Sequence, residues 1–85
     1  MVKPVGRNSY AVKHGVYAGE ILVFIKEARD SYEFLSVPKM VNRSIPLDKF
    51  KYGWDNGIID FVEAIPKDVY NIVTAQFEKN CKSIK

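Results

Sequence analysis

Apolar residues in the first half of the chain follow the period of β-strands. The strongest signal is Gly19–Glu27, where the odd-numbered residues from 21 to 25 point to one side of a pleat and Leu22 and Phe24 point to the other. Because both sides are apolar, we expect this strand to be central and covered on both faces. The segment 32–37 resumes the strand pattern, and the polar turn 28–31 before it predicts a hairpin.

Three shorter segments have the same pattern. We predict strands over Tyr10–Lys13, Met40–Ile45 and Ile58–Ala64. A single helical turn is predicted over Leu47–Phe50, since Asp48 suits the start of a helix. The Asn-Gly pair at 56–57 is typical of a tight hairpin turn, because glycine and asparagine tolerate positive φ angles.

The period changes after Pro66, which fits the first position of a helix. Val69, Val73 and Phe77 then recur at helical spacing, and Cys81 extends the stripe. This spacing predicts an amphipathic helix over 66–82 that packs its apolar stripe on the sheet.

Together these elements predict an α+β domain. It is either a small SH3-like five-stranded antiparallel barrel or a bent sheet, with the C-terminal amphipathic helix packed against it. An open antiparallel sheet with the helix across one face is the alternative. A chain of 85 residues has room for one core, so we expect a single domain over 1–85, with residues 1–9 as an extended arm.

Composition narrows the class of protein. A hydrophobic share of 47% supplies enough apolar surface for a folded core, which argues against a disordered chain. The formal charge of +3 is a mild excess of basic residues, and it is only a weak indication of a basic surface that would bind nucleic acid. One cysteine permits no intrachain disulfide, and the longest apolar run, 21–25, is too short to span a bilayer. The chain also begins without an apolar leader, so we expect a cytoplasmic protein with no membrane partner.

The residues that carry catalysis are sparse. His14 is the single histidine and stands in a predicted turn, and Cys81 is expected to be an apolar filler of the helix. The carboxylates have no spacing typical of a catalytic pair or a cation-binding loop. We therefore predict that the protein is not an enzyme and needs no cofactor or metal.

Cations and aromatic rings alternate between residues 39 and 54. Single-stranded nucleic-acid grooves combine charge for the backbone with rings that stack on bases. Protein interfaces use the same residue types as anchors. Phe50 is expected in the core, while Trp54 fits either the core or an interface.

The segment Lys13–Ile25 resembles a KOW motif. Gly19 corresponds to the glycine of that family, and residues 21, 23 and 25 correspond to the strand that follows it. Glu20 stands where such motifs often carry a basic or neutral residue. The wider order of strands is similar to SH3-like barrels. The resemblance implies a small barrel that serves as a binding module in transcription, translation or a comparable assembly.

We therefore predict a non-enzymatic interaction module that binds a protein partner as an accessory or regulatory factor. The residues expected at or near the contact surface are Arg43, Tyr52 and Trp54. The alternative is a nucleic-acid-binding domain whose binding weakens as salt rises. It would use four cations on one face, Lys39, Arg43, Lys49 and Lys51.

Overall fold

A computed structural model describes residues 4–82 of the chain, which form one antiparallel sheet with a helix on each face. The elements in chain order are β1 (Asn8–Val12), β2 (Ile21–Glu27), β3 (Ser31–Ser36), β4 (Val41–Pro46), α1 (Leu47–Asp55), β5 (Ile59–Ala64) and α2 (Lys67–Lys82). The predicted α+β class is confirmed. None of these helices is long and apolar enough to cross a bilayer.

The five strands lie in the order β4-β3-β2-β1-β5, and every neighbouring pair is antiparallel. β4 and β5 are therefore the two edges, and the sheet is open. The sheet does not close into a barrel, which was one of the two predicted forms. Since α1 and α2 each bury one face, the sheet does not need to close on itself to remove its apolar surface from water.

β2 lies in the middle of the sheet and is apolar on both sides, as predicted. Leu22 and Phe24 belong to the core beneath α1, whereas Val23 belongs to the core beneath α2. The predicted hairpin of β2 and β3 is also present, closed by a hydrogen bond of 2.8 Å from the Ala28 N–H to the Ser31 carbonyl.

The core on the α1 side is a cluster of aromatic rings. Phe50 is fully buried, and its ring centroid lies 5.2 Å from that of Tyr32, 5.7 Å from Tyr10 and 5.9 Å from Phe34. The predicted core position of Phe50 is confirmed. Edge-to-face and offset rings at such distances add to the burial energy, so α1 is anchored to the sheet through this residue.

α1 is longer than the predicted single turn, and the tight hairpin predicted at Asn56 and Gly57 is wrong. Asn56 caps the helix, and Gly57 follows it with a φ of 71°. The Gly57 N–H donates to the Trp54 carbonyl at 3.3 Å, and the Ile58 N–H donates to the Gly53 carbonyl at 2.8 Å. These two bonds define a Schellman motif at the end of the helix. The Asn-Gly pair therefore ends α1 instead of joining two strands.

α2 confirms the predicted C-terminal helix, but its buried stripe is narrower than expected. Val73 and Phe77 are buried, whereas Val69 and Ile72 are exposed and the expected burial of Cys81 is wrong. The helix lies over β2, β3 and β4 with the side that carries positions 70, 73 and 77. Ile72 is rotated by about 100° from Val73, whereas Val69 and Cys81 lie one turn beyond the buried pair, near the two ends of the helix.

The predicted arm 1–9 lies partly outside the described residues. In its described part, residues 6–7 form a turn and β1 begins at Asn8, earlier than predicted. The Arg7 side chain donates to the Ile65 carbonyl at 3.1 Å, and the Ile65 N–H donates to the Arg7 carbonyl at 2.8 Å. These bonds hold residues 4–9 against the chain that leaves β5.

Candidate functional site

A groove opens between α1 and the loop 13–20, which connects β1 to β2. Its volume is about 510 Å³. The buried side chains of Val12, Ile45 and Ile59 form its base. Val16 on the loop and Tyr52 on α1 form opposite rims, with 94% and 64% of their surface exposed. The groove is therefore an apolar depression between two exposed apolar side chains.

Two glycines shape the loop wall of the groove. Gly15 and Gly19 have φ angles of 98° and 87°, a region that side chains with a Cβ rarely adopt. The Ala18 N–H donates to the Gly15 carbonyl at 3.2 Å, and the Glu20 N–H donates to the Tyr17 carbonyl at 3.1 Å. These consecutive turns carry residue 16 away from the sheet.

A third glycine sets the distance between α1 and β5. A Cβ on Gly53 would lie 2.7 Å from the Cδ1 atom of Ile59 and 2.9 Å from its Cγ1 atom. The absence of a side chain at this position lets α1 lie directly against β5. The close approach positions Tyr52, the residue before Gly53, at the rim.

Among residues 4–82, Lys49 is the one lysine or arginine that lines the groove, and no acid lines it. Within the described part of the chain Lys49 makes no ion pair. The nearby cations do have partners: Lys13 lies 2.6 Å from Asp60, and Lys51 lies 3.1 Å from Asp55. The groove therefore presents an unpaired positive charge beside an apolar base.

A cluster of charged residues, Glu20, Arg43 and Lys39, holds the loop wall of the groove in place. The carboxylate of Glu20, which is buried, accepts two hydrogen bonds of 3.0 Å from the Arg43 guanidinium and lies 3.5 Å from the Lys39 ammonium. The guanidinium also covers the ring of Tyr17 at 4.7 Å from its centroid. Because Tyr17 lines the groove, this cluster holds one groove wall to β4.

The same cluster shifts two pKa values. The hydrogen bonds from Arg43 hold the pKa of Glu20 below its ordinary value, against the opposing effect of burial. The carboxylate in turn raises the pKa of Arg43. Both groups are therefore charged at neutral pH.

The three residues predicted for a protein contact do not share one surface. Tyr52 lines the groove, and Arg43 is held in the Glu20 cluster. Trp54 lies two residues after Tyr52, about 200° around the helix. Its ring is half-buried, stacked at 6.3 Å from Phe50 and edge-to-face at 6.1 Å from Tyr10. α1 therefore places Tyr52 and Trp54 on different sides, and Arg43 lies on β4.

The four cations predicted for nucleic acid are also divided. Lys39 and Arg43 converge on Glu20, and Lys51 pairs with Asp55. Lys49 and Lys51 are two positions apart in α1, so they point to opposite sides of the helix. The structure does not bring the four together as an open basic face.

Sequence reasoning missed the loop residues Val16 and Tyr17. An available signal is Val16 in a loop between two glycines, because an exposed apolar side chain in a loop has no core to fill, whereas Tyr17 packs against the core on the α1 side. It also missed the apolar residues Phe61 and Val62 on β5, which are exposed. Their alternation predicted a strand, but not that the strand is an edge.

No cluster of three or more histidine, cysteine or acidic side chains suitable for a metal ion occurs among residues 4–82. Comparisons of the chain with protein-family models, with curated proteins and with solved structures found no match.

Proposed function

We propose that the protein is a non-enzymatic interaction module that binds a protein partner in the groove between α1 and the loop 13–20. The observation that carries the proposal is the apolar groove with Val16 and Tyr52 exposed on its two rims. Exposed apolar side chains beside an apolar depression are typical of a contact surface, since a partner removes both from water at once. Tyrosine is also enriched among the residues that dominate binding energy.

The charge of the groove favours one kind of occupant. Lys49 stands at the edge of the apolar base without an acid of its own. A partner segment that inserts an apolar side chain and carries a carboxylate beside it would bury the base and neutralise Lys49. Complementary charge of this kind speeds association and selects against basic partners. We therefore expect an apolar segment flanked by aspartate or glutamate.

The rigidity of the loop supports the same function. The contacts of Arg43 with Glu20 and Tyr17 fix the loop wall before a partner arrives. A wall that is already ordered reduces the entropy lost on binding. The loop 13–20 supplies this wall and lies within the segment 13–25 that resembles a KOW motif, and we propose that it acts as the binding segment of an accessory or regulatory factor.

The test compares variants of the groove as baits in lysates of the cells that produce the protein. Tyr52→Ala and Lys49→Glu change the rim and the charge, while Lys79→Glu makes the same charge change on the exposed side of α2. Proteins retained by the wild type and by Lys79→Glu but lost by both groove variants are purified and titrated directly. We expect each groove variant to weaken that binding by at least about tenfold, the usual effect at a central contact.

Two results would contradict the proposal. One is a partner that binds both groove variants as tightly as the wild type. The other is that no protein is lost selectively from the groove variants while circular dichroism shows that they are folded.

A further inference from the structure

The two edges of the sheet differ in how far the rest of the chain covers them. At the β4 edge the Asn80 side chain donates to the Met40 carbonyl at 3.1 Å, and the Asn42 side chain donates to the Phe77 carbonyl at 3.3 Å. The end of α2 is thus fastened to β4. β5 pairs with β1 on its inner side, and no segment in the described range pairs with its outer side. An unpaired edge of this kind can accept another strand.

One side of the β5 edge is apolar and aromatic. Phe61, which is 49% exposed, and the half-buried Trp54 both contact the Tyr10 ring edge-to-face at 6.1 Å. Val5 is exposed as well, and its N–H donates to the Tyr10 hydroxyl at 3.2 Å. Trp54, Phe61 and Val5 therefore surround Tyr10 and form an apolar strip beside β5.

The other side of the same edge carries two carboxylates and the lysine Lys13, which pairs with one of them. Asp60 lies opposite Ala11 and Glu63 lies opposite Ser9 in the register with β1, so both carboxylates are on the face away from the aromatic strip. Asp60 is paired with Lys13, whereas Glu63 is exposed and has no ion pair among the described residues. β5 itself carries no basic residue.

We propose that β5 accepts an extended segment of a protein partner as a sixth strand, and that this segment alternates apolar residues with lysine or arginine. The backbone of the added strand would pair with the outer N–H and C=O groups of β5. Because side chains alternate across a strand, its apolar residues would lie on the strip of Phe61 and Val5. Its basic residues would lie on the side of Asp60 and Glu63.

Charge argues against a second copy of this chain as the occupant. If two β5 strands paired antiparallel about their centres, Asp60 of each copy would face Glu63 of the other. Four carboxylates would then lie on one face beside two copies of Lys13, and the unpaired Glu63 of each copy would stand opposite an acid, an arrangement that destabilises a sheet.

The aromatic strip lies on the other side of α1 from the Tyr52 rim of the groove, and Ile59 at the start of β5 is the residue that the two sites share. The test titrates the protein with labelled synthetic peptides of about eight residues, a length sufficient to pair with β5. The basic peptide alternates lysine and valine. A second peptide alternates glutamate and valine, and a third is the basic peptide with proline at its central valine. Fluorescence anisotropy measures binding to the whole protein.

We expect the basic peptide to bind at least about tenfold more tightly than either other peptide, a difference of about 1.4 kcal/mol. The proline peptide keeps the charge but cannot complete the backbone pairing. Glu63→Lys should weaken binding by at least about tenfold, whereas the matched control Glu78→Lys on α2 should leave it unchanged. The backbone amides of residues 60–64 that point away from β1 should gain protection from hydrogen exchange when the peptide is bound.

Equal affinity for the basic and proline peptides would overturn the proposal, because binding would then depend on the net charge of the peptide and not on backbone pairing with β5. Unchanged affinity in a folded Glu63→Lys protein would also overturn it. So would a dimer in sedimentation that becomes stronger in Glu63→Lys and that the basic peptide does not dissociate. Lys49→Glu distinguishes this site from the groove: it should weaken groove binding by at least about tenfold and leave peptide binding unchanged.

Discussion

The guanidinium of Arg43 makes two hydrogen bonds of 3.0 Å with the carboxylate of Glu20, a residue 23 positions earlier in the chain. β4, which carries Arg43, and β2, which follows Glu20, are separated by β3. Ser36 of β3 lies opposite both Leu22 and Val41, so it stands between the two charged residues on the same face. A small side chain at this position leaves room for the pair to meet across β3.

Removing the charge of Glu20 should destabilise the protein. Glu20→Gln leaves the Arg43 guanidinium, whose side chain is largely buried, without its anion. Hydrogen bonds to charged groups contribute roughly 1.5–3 kcal/mol, and we expect a loss of that size in the free energy of unfolding by urea. The control Asp55→Asn removes the exposed pair with Lys51 and should cost less than about 1 kcal/mol. Equal effects of the two variants would contradict a special role for Glu20.

The same contact predicts how stability depends on pH. The pKa of Glu20 is lowered in the folded protein, mainly by the hydrogen bonds from Arg43. The stabilisation is therefore complete above the unfolded pKa of glutamate, about 4.3, and is lost as pH falls through the lower folded pKa. The stability difference between wild type and Glu20→Gln should shrink over this acid range. If this stability difference stayed constant from pH 7 down to the pH at which the protein unfolds in acid, a lowered pKa of Glu20 in the folded protein would be refuted.

Gly53 should resist substitution although it lies within a helix. Alanine is normally the better helix former by about 1 kcal/mol. Here its Cβ would lie 2.7 Å and 2.9 Å from two side-chain atoms of Ile59, which is buried and cannot move freely. Overpacking of this kind costs roughly 1–3 kcal/mol, so we expect Gly53→Ala to lower the urea midpoint.

A second variant tests the cause of that effect. Ile59→Val removes the nearer of the two atoms, Cδ1, and should relieve part of the clash. The double variant Gly53→Ala with Ile59→Val should then be more stable than the sum of the two single effects predicts. A stabilised Gly53→Ala protein would show that α1 does not lie as close to β5 as described.

Gly57 should also be required, for a different reason. Its φ of 71° is strained for a residue with a Cβ, while nothing lies within 4 Å of the position a Cβ would take. Gly57→Ala should therefore destabilise by about 1 kcal/mol through backbone strain alone. Gly57→Asn should cost less, because asparagine tolerates this conformation. Thermal unfolding of the two variants measures the difference, and an equal loss would argue against the helix-ending geometry.

The fold followed from local patterns wherever one segment determines its own structure. The two-sided apolar pattern of Gly19–Glu27 predicted a central strand, and β2 is central. The helix after Pro66 was predicted by its period. The pair Asn56–Gly57 misled because a hairpin turn and a Schellman motif both need a positive φ, and only the residues packed around them distinguish the two. Gly53 further obscured α1, since glycine within a helix is unfavourable.

The candidate sites were less predictable because they depend on contacts between distant segments. The ion pair between Arg43 and Glu20 holds the wall of the groove, and no local sequence pattern predicts this pair. The helix α1 separates Tyr52 from Trp54, which are near neighbours in sequence. The status of β5 as an open edge depends on the order in which all five strands pair. Alternation predicts a strand but not its neighbours.

The arrangement of the basic residues leads to the last prediction, on nucleic acid. Three of the four cations between residues 39 and 51 are paired with carboxylates, and Lys49 points away from Lys51. Phosphate contacts from such a set would have to compete with ion pairs that are already formed. We therefore expect labelled single-stranded and double-stranded DNA and RNA to show no submicromolar binding in fluorescence anisotropy at low salt.

A low-salt titration is the most demanding condition, because electrostatic binding to nucleic acid weakens steeply as salt rises. If tight binding were observed, Lys49→Glu and Lys79→Glu would locate it. A loss confined to Lys49→Glu would assign nucleic acid to the groove and contradict a protein partner there. Equal losses in both variants would indicate attraction to the net charge of +3 without a defined site. Absence of binding in this titration leaves the groove to a protein segment that carries a carboxylate for Lys49.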